Sequence, residues 1–125
     1  MPIMKRFTDL EAWKVAIELL KENHAITKKL PAEERFGLVQ QMRKSAMSIL
    51  ANIAEGFGRY TYDDKANRFV IARGECNELE AFCYGIIALD YLSSDQIQKS
   101  RELIEREEKL LSGLISSCRK RSALS

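Results

Sequence analysis

The sequence predicts an all-α chain folded as an antiparallel up-down-up-down four-helix bundle, and three observations carry that prediction. Apolar residues recur at spacings of three and four nearly everywhere, while strand-type alternation is absent. Only two prolines occur, Pro2 and Pro31, so long stretches are free of helix breakers. The breaks at Pro31, Gly56 to Gly58 and Ser93 leave connections of a few residues, which join antiparallel neighbours. At 125 residues the chain reads as one domain, 1–125, with no internal repeat or low-complexity tract.

The first helix, about 8–29, opens at a capping box, Thr8-x-x-Glu11. Its apolar face reads as Leu10, Trp13, Ile17, Leu20 and His24, and it stops before Pro31, which disfavours helical geometry at Leu30. The second helix, about 32–57, ends at Gly56 or Gly58, either of which can take the left-handed conformation of a helix C-terminus. The third, about 62–92, has a seam of Phe69, Ala72, Cys76, Leu79, Cys83 and Ile86. A second capping box, Ser93-x-x-Gln96, opens the fourth, about 94–121, lined by Ile97, Ser100, Ile104, Leu111, Leu114 and Cys118. Glu105, Glu107 and Glu108 interleave with Arg101, Arg106 and Lys109 and read as its solvated face.

The second helix carries the most informative pattern. Gln41, Ser45, Ser48, Asn52 and Glu55 are spaced 4, 3, 4 and 3, which lines up five polar side chains. Met42, Ala46, Ile49 and Ile53 run beside them, and Val39, Leu50 and Phe57 add a third line. A helix apolar over most of its circumference is largely buried. A polar line within it must then be hydrogen-bonded. An antiparallel third helix, turning near Gly58 and Arg59, sets Gln41 level with Glu78 and Ser45 near Arg73. Gln41, Ser45, Ser48, Asn52, Glu55 and Glu78 are therefore the expected structural polar network. It lacks His, Cys or a nucleophile–base pair, so packing is its expected role.

The same stretch carries a resemblance. Phe7-Thr8-Asp9-Leu10-Glu11-Ala12-Trp13-Lys14, Gly37-Leu38 with Gln41-Met42-Arg43, and Ser48-Ile49-Leu50-Ala51-Asn52-Ile53-Ala54-Glu55-Gly56 resemble the four-helix bundle proteins encoded in intervening sequences of bacterial 23S ribosomal RNA genes. Ile71-Ala72-Arg73-Gly74-Glu75 with Glu78-Leu79 fits that family's third helix. The likeness spans roughly residues 5 to 120, and Asn-Ile-Ala-Glu-Gly is its most specific piece. One departure is Gly74-Glu75-Cys76-Asn77, where the family has Gly-Ser followed by an acidic or small residue. The resemblance implies a cytoplasmic, ring-forming oligomer, a homopentamer, that binds RNA or another nucleic acid. Related bundles serve as accessory factors of retroelement reverse transcriptases, so a protein–protein adaptor with such a partner is the alternative.

The third helix has more apolar surface than one bundle needs. Ala81 to Leu89 is apolar or aromatic all round, and Gly74, Glu78, Ala81, Gly85 and Ala88 form a line that is small except for one carboxylate. Such surplus points to self-association. The competing reading is a central helix of a monomer.

A formal net charge of +2 is too small to declare a nucleic-acid binder. Topology nevertheless gathers Lys5, Arg6, Arg59, Lys65, Arg68, Arg119, Lys120 and Arg121 at one bundle end, with Asp9, Glu55, Asp63 and Asp64 as the acids and Glu55 read as internal. Tyr60 and Tyr62 lie among these cations and can stack on unpaired bases. Repeated around a ring, that end becomes a multivalent phosphate surface. On charge alone an equal reading has Arg119 to Arg121 complementing the dipole of the last helix, with the other cations solvated.

Enzyme readings find no support, since there is no phosphate-binding glycine loop and no Gly-x-Ser-x-Gly. A di-iron bundle needs Glu-x-x-His on two helices, and the single histidine is His24, read as a packed residue. Three cysteines, Cys76, Cys83 and Cys118, read as reduced core thiols of a cytoplasmic chain. No cofactor or metal is expected. Met1 to Phe7 does not read as a signal peptide, and no apolar run is long enough for a bilayer.

Overall fold

The structure, a computed structural model, describes residues 4–124, so the leader reading of Met1 to Phe7 falls partly outside the described residues. It contains α1 (Glu11–Thr27), α2 (Leu38–Gly58), α3 (Tyr62–Ala88) and α4 (Gln98–Leu124), with no strand among the described residues. Short 3-10 turns at Phe7–Asp9, Ala32–Glu34 and Asp95–Ile97 lead into α1, α2 and α4. Helix α1 packs on α2 and α4, and α3 packs on the same two, which closes the four-helix ring. No helix of the described residues is long and apolar enough to cross a membrane.

Several helix ends differ from expectation. Thr8 does not cap α1. The Asp9 carboxylate accepts the backbone N–H groups of Lys5 and Arg6 at 3.1 Å each and holds a 3-10 turn. A charged acceptor prevails there over a hydroxyl. Leu10 is extended, with φ −68° and ψ 135°, so α1 starts at Glu11. Helix α2 starts six residues later than expected, because Gly37 leaves helical geometry (φ −107°, ψ −110°). Glu34 then caps from outside, its Oε1 accepting the Leu38 N–H at 3.2 Å while Oε2 accepts the Tyr91 hydroxyl at 2.7 Å.

Helix α2 ends at Gly58 without a left-handed glycine, since no glycine of the described residues has positive φ and Arg59 is extended. Gly56 serves packing instead. A Cβ there would lie 2.6 Å from the Phe69 ring. Thr61 caps α3, its Oγ1 accepting the Asp64 N–H at 3.1 Å. Helix α3 stops at Ala88, ahead of Asp90 in the left-handed region (φ 58°). The Ser93–Gln96 box forms with both reciprocal bonds, at 3.3 and 2.9 Å.

The α3 seam is buried along its whole length. On α1 the buried line is Ala12, Val15, Ala16, Leu19, Asn23 and Ile26. Trp13, Ile17 and Leu20 lie at the margin, and His24 is exposed rather than packed. Small alanines occupy the interhelical line and push the larger side chains to its edge. Asn23 crosses to α2, donating to the Met42 carbonyl at 3.0 Å. From Ile97 of the preceding turn the buried line continues along α4 as Ser100, Ile104, Glu107, Leu111, Ile115 and Cys118, with Leu114 beside it. Glu107 is fully buried, contrary to the solvated face expected of it. All three cysteines are free and buried.

Candidate nucleic-acid interface

The bundle end at the start of α1 and α3 and the end of α2 and α4 is built by contacts among all four segments. Met4, Leu10, Phe57, Tyr62, Lys65, Phe69, Cys118 and Arg121 surround a depression of about 510 Å³. Lys65 reaches back to α2, its Nζ donating to the Phe57 carbonyl and lying 5.6 Å from the Phe57 ring centre. Arg121 closes α4 onto α3, with its guanidinium 5.6 Å from the Tyr62 ring centre and Nη1 3.4 Å from the phenol oxygen. Ser122 donates to Asp63 at 2.6 Å.

The cations divide around this end. Lys65 and Arg121 rim the aromatic depression. Arg59 and Arg68 lie with Asp64, Asn67 and Ile71 along a second shallow cleft. Both converge on Glu55 Oε2, at 3.4 and 3.1 Å. Glu55 is thus exposed and ion-paired, not internal, one turn before the end of α2 and within reach of Arg59 and Arg68. Exposed pairs of this kind are weak, so both guanidiniums keep donors for another anion. Arg119 and Lys120 are exposed on the last turns of α4, and Lys5 and Arg6 are exposed before α1. Arg6 lies 5.8 Å over the Phe7 ring. Tyr60 is 97 % exposed, a bare ring at the α2–α3 turn.

The polar line of α2 is only partly internal. Gln41 and Glu55 at its two ends are exposed, while Ser45 and Asn52 are buried and Ser48 half-buried. Besides the Glu55–Arg68 pair, Ser45 bonds to α3, its Oγ donating to Glu78 Oε2 at 3.2 Å. Ser45, not Gln41, is therefore level with Glu78, a shift of one helical turn. The α2–α3 connection is centred nearer Tyr60 to Tyr62 than Gly58, and Arg73 reaches Ser112 of α4 at 3.2 Å. Asn52 bonds within α2, donating to the Ser48 carbonyl at 2.9 Å and Oγ at 3.1 Å.

Glu75 joins this seam, and the sequence reading missed it. Burial raises its carboxyl above the ordinary range and the charge of Glu78 adds to that, while hydroxyls of Ser45 and Ser48 oppose. The three-residue spacing of Glu75 and Glu78 was the available signal. In the core, burial pushes Glu107 up to about 8, with Arg106 opposing, and neither carboxyl oxygen has a hydrogen-bond partner. The Cys83 thiol is pushed up to about 11 by burial. These thiols are inert rather than nucleophilic. Among the described residues no group of three or more His, Cys, Asp or Glu side chains is placed to hold a metal ion.

The comparisons agree with this architecture. A family model described as 23S rRNA-intervening sequence protein matches residues 8–113. A crystal structure of a protein of unknown function from the S23 ribosomal protein family of Bacteroides thetaiotaomicron is 26 % identical. The match covers 84 % of this chain and 95 % of that one, with a TM-score of 0.77. No curated protein matches. A family match over most of the chain, on an all-helical four-membered ring, identifies the chain as a member of the 23S rRNA-intervening sequence protein family.

Proposed function

We propose that this protein is a non-catalytic, self-associating cytoplasmic module that binds RNA through the cationic end of its bundle. The observation that carries this reading is the placement of Lys65 and Arg121 on the rim of the depression that holds Arg-stacked Tyr62, with Arg59 and Arg68 along a second cleft and Tyr60 bare at the α2–α3 turn. Cations hold phosphates, and bare rings hold unpaired bases. Lys5, Arg6, Arg119 and Lys120 extend the same surface. The family's link to ribosomal RNA genes supports it.

Self-association, with a homopentamer as the family-based expectation, rests on α3. Ile71, Tyr84 and Leu89 are 44, 51 and 54 % exposed in the single chain, and a Cβ at Gly74 or Gly85 would meet open space. Light scattering at micromolar concentration should give a mass several times 14.3 kDa; a monomer there would refute it.

Electrophoretic shift of a single-stranded RNA across a salt series tests the RNA reading. Affinity should fall steeply with salt as counterions are released. Reversing Lys5, Arg119 and Lys120 to Glu should weaken binding to many sequences alike, since phosphate contacts carry no sequence information. Tyr60→Ala should weaken single-stranded RNA more than duplex. Wild-type protein that shifts no RNA at low salt would overturn the reading in favour of a protein–protein adaptor, such as a reverse transcriptase accessory factor.

A further inference from the structure

A wide apolar concavity lies away from the cationic end, between α1 and α2. It is a groove of about 760 Å³ walled by these helices and the turn that follows α1. Its walls are rows at four-residue spacing. Leu20, His24 and Lys28 form one, Lys21, Ala25 and Lys29 the next, and Arg43 with Met47 the third. Leu20, Ala25 and Met47 are its aliphatic lining, and Met47 is 56 % exposed. The rim is cationic, with no acidic residue and no Phe, Tyr or Trp in the lining. Arg43 is fixed there, its Nε donating to Thr27 Oγ1 at 3.0 Å, and Thr27 in turn donates to the His24 carbonyl at 3.0 Å. Lys21 lies 3.7 Å from Glu18, an exposed pair that competes weakly.

This composition selects its occupant. Rows four residues apart are the ridges between which another helix packs, and eight residues of α1 give about 12 Å of wall, two helical turns. An exposed methionine beside a small alanine suits apolar side chains of varied shape. Lysines and an arginine around an aliphatic lining call for carboxylates flanking an apolar stripe. A nucleic acid is poorly served, because no phenyl, phenol or indole ring offers a base a stacking platform, in contrast to the end bearing Tyr60.

The chain's own helices do not match this surface. The acids of α4 interleave with Arg101, Arg106 and Lys109 around a stripe buried in its own core. Glu78 of α3 is already bonded to Ser45. We infer that the groove docks an acidic amphipathic helix of a partner protein. Its apolar residues would sit on Leu20, Ala25 and Met47, and its carboxylates would face Lys21, Lys28, Lys29 and Arg43. This inference is independent of the RNA reading.

The test uses the full chain and two labelled synthetic helices of about four turns. Both carry the same leucine stripe, flanked by glutamates in one and by lysines in the other. Fluorescence anisotropy should show saturable binding of the glutamate peptide, falling with salt, and none of the lysine peptide. Ala25→Trp, which fills the groove, and the double change Lys28→Glu, Lys29→Glu should each weaken it by about tenfold or more. These residues are exposed, so circular dichroism should show an unchanged fold. Four results would overturn the proposal. The glutamate peptide could fail to bind at roughly millimolar protein, or bind the Ala25→Trp protein equally well. Ala25→Trp could lower the light-scattering mass, which would make the occupant a second copy. Loss of an RNA shift in the lysine variant, with no peptide binding, would assign the groove to nucleic acid.

Discussion

Glu107 in the middle of α4 and the Glu75–Glu78 pair on α3 hold carboxyl groups under opposite conditions. Glu107 is fully buried, its oxygens lack hydrogen-bond partners, and burial alone is enough to push it up to about 8. The Cys76 thiol on α3 feels it across the core and is itself pushed far up, first by burial and then by Glu107. Glu75 is only half-buried and shares hydroxyls of α2 with Glu78. Burial is the first cause of both shifts, and charges nearby in sequence, Glu78 for Glu75 and Arg106 for Glu107, come second. Arg106 adjoins Glu107 in the chain, yet its guanidinium turns outward to Glu11 at 2.9 Å.

The comparison breaks most visibly through pH. Below the ordinary carboxyl range, Glu107 is protonated both folded and unfolded, and its burial carries no ionisation cost. Between about 4.5 and about 8 the unfolded chain has lost that proton while the folded chain keeps it, so stability falls as pH rises. Above about 8 the loss is complete, on the order of a few kcal/mol. Urea unfolding at pH 5 and pH 9 should register it, and Glu107→Gln should flatten the profile. An unchanged slope in that variant would place the titration elsewhere. Glu107→Leu should raise stability at pH 8 by roughly 1 to 4 kcal/mol, because a packed apolar side chain replaces an unpaired carboxyl.

Smaller effects belong to the α2–α3 seam. Ser45→Ala removes a hydroxyl from Glu78 and Glu75 and should cost about 0.5 to 1.5 kcal/mol, read from the urea midpoint. It should also raise the Glu75 titration midpoint, followed by carboxyl carbon NMR, since that hydroxyl favours the charged form. Glu78→Gln should move the same midpoint the other way, with a stability change of only a few tenths of a kcal/mol. A Glu75 midpoint indifferent to both substitutions would dissolve the pair.

What the sequence made legible follows from the type of signal. The α3 seam stands out because six apolar residues hold a strict three–four spacing, and all six are buried. The Ser93–Gln96 box could be read for the same reason, being local chemistry. The α1 face was misread by one residue position because bulky side chains outweighed Ala12 and Ala16. Glu107 was assigned to solvent because its charge outweighed its place midway between Ile104 and Leu111. Topology set these cations at one end of the bundle but not their division into two clefts, and the spacing of the polar line did not show that Glu55 is exposed and paired with Arg59 and Arg68. The α1–α2 groove stayed hidden because Arg43 and Met47 meet the 20–29 segment only after folding.

The Tyr91–Glu34 bond has a consequence for how the bundle opens. It joins the segment between α1 and α2 to the segment between α3 and α4, the two longest connections in the fold. Fastened together at 2.7 Å, they act as one clasp rather than two independent tethers. The opposite end is tied by the short α2–α3 turn, by Lys65 on the Phe57 carbonyl, and by Arg121–Tyr62 and Ser122–Asp63 contacts that are exposed to solvent. Local opening should therefore start there and travel along the helices toward the clasp, so amides near Tyr62 and Arg119 exchange with solvent before those near Ile26 and Ile86. The surface proposed to meet RNA is then also the most adaptable part of the molecule, able to adjust its backbone to a ligand while the clasped end holds the helices in register.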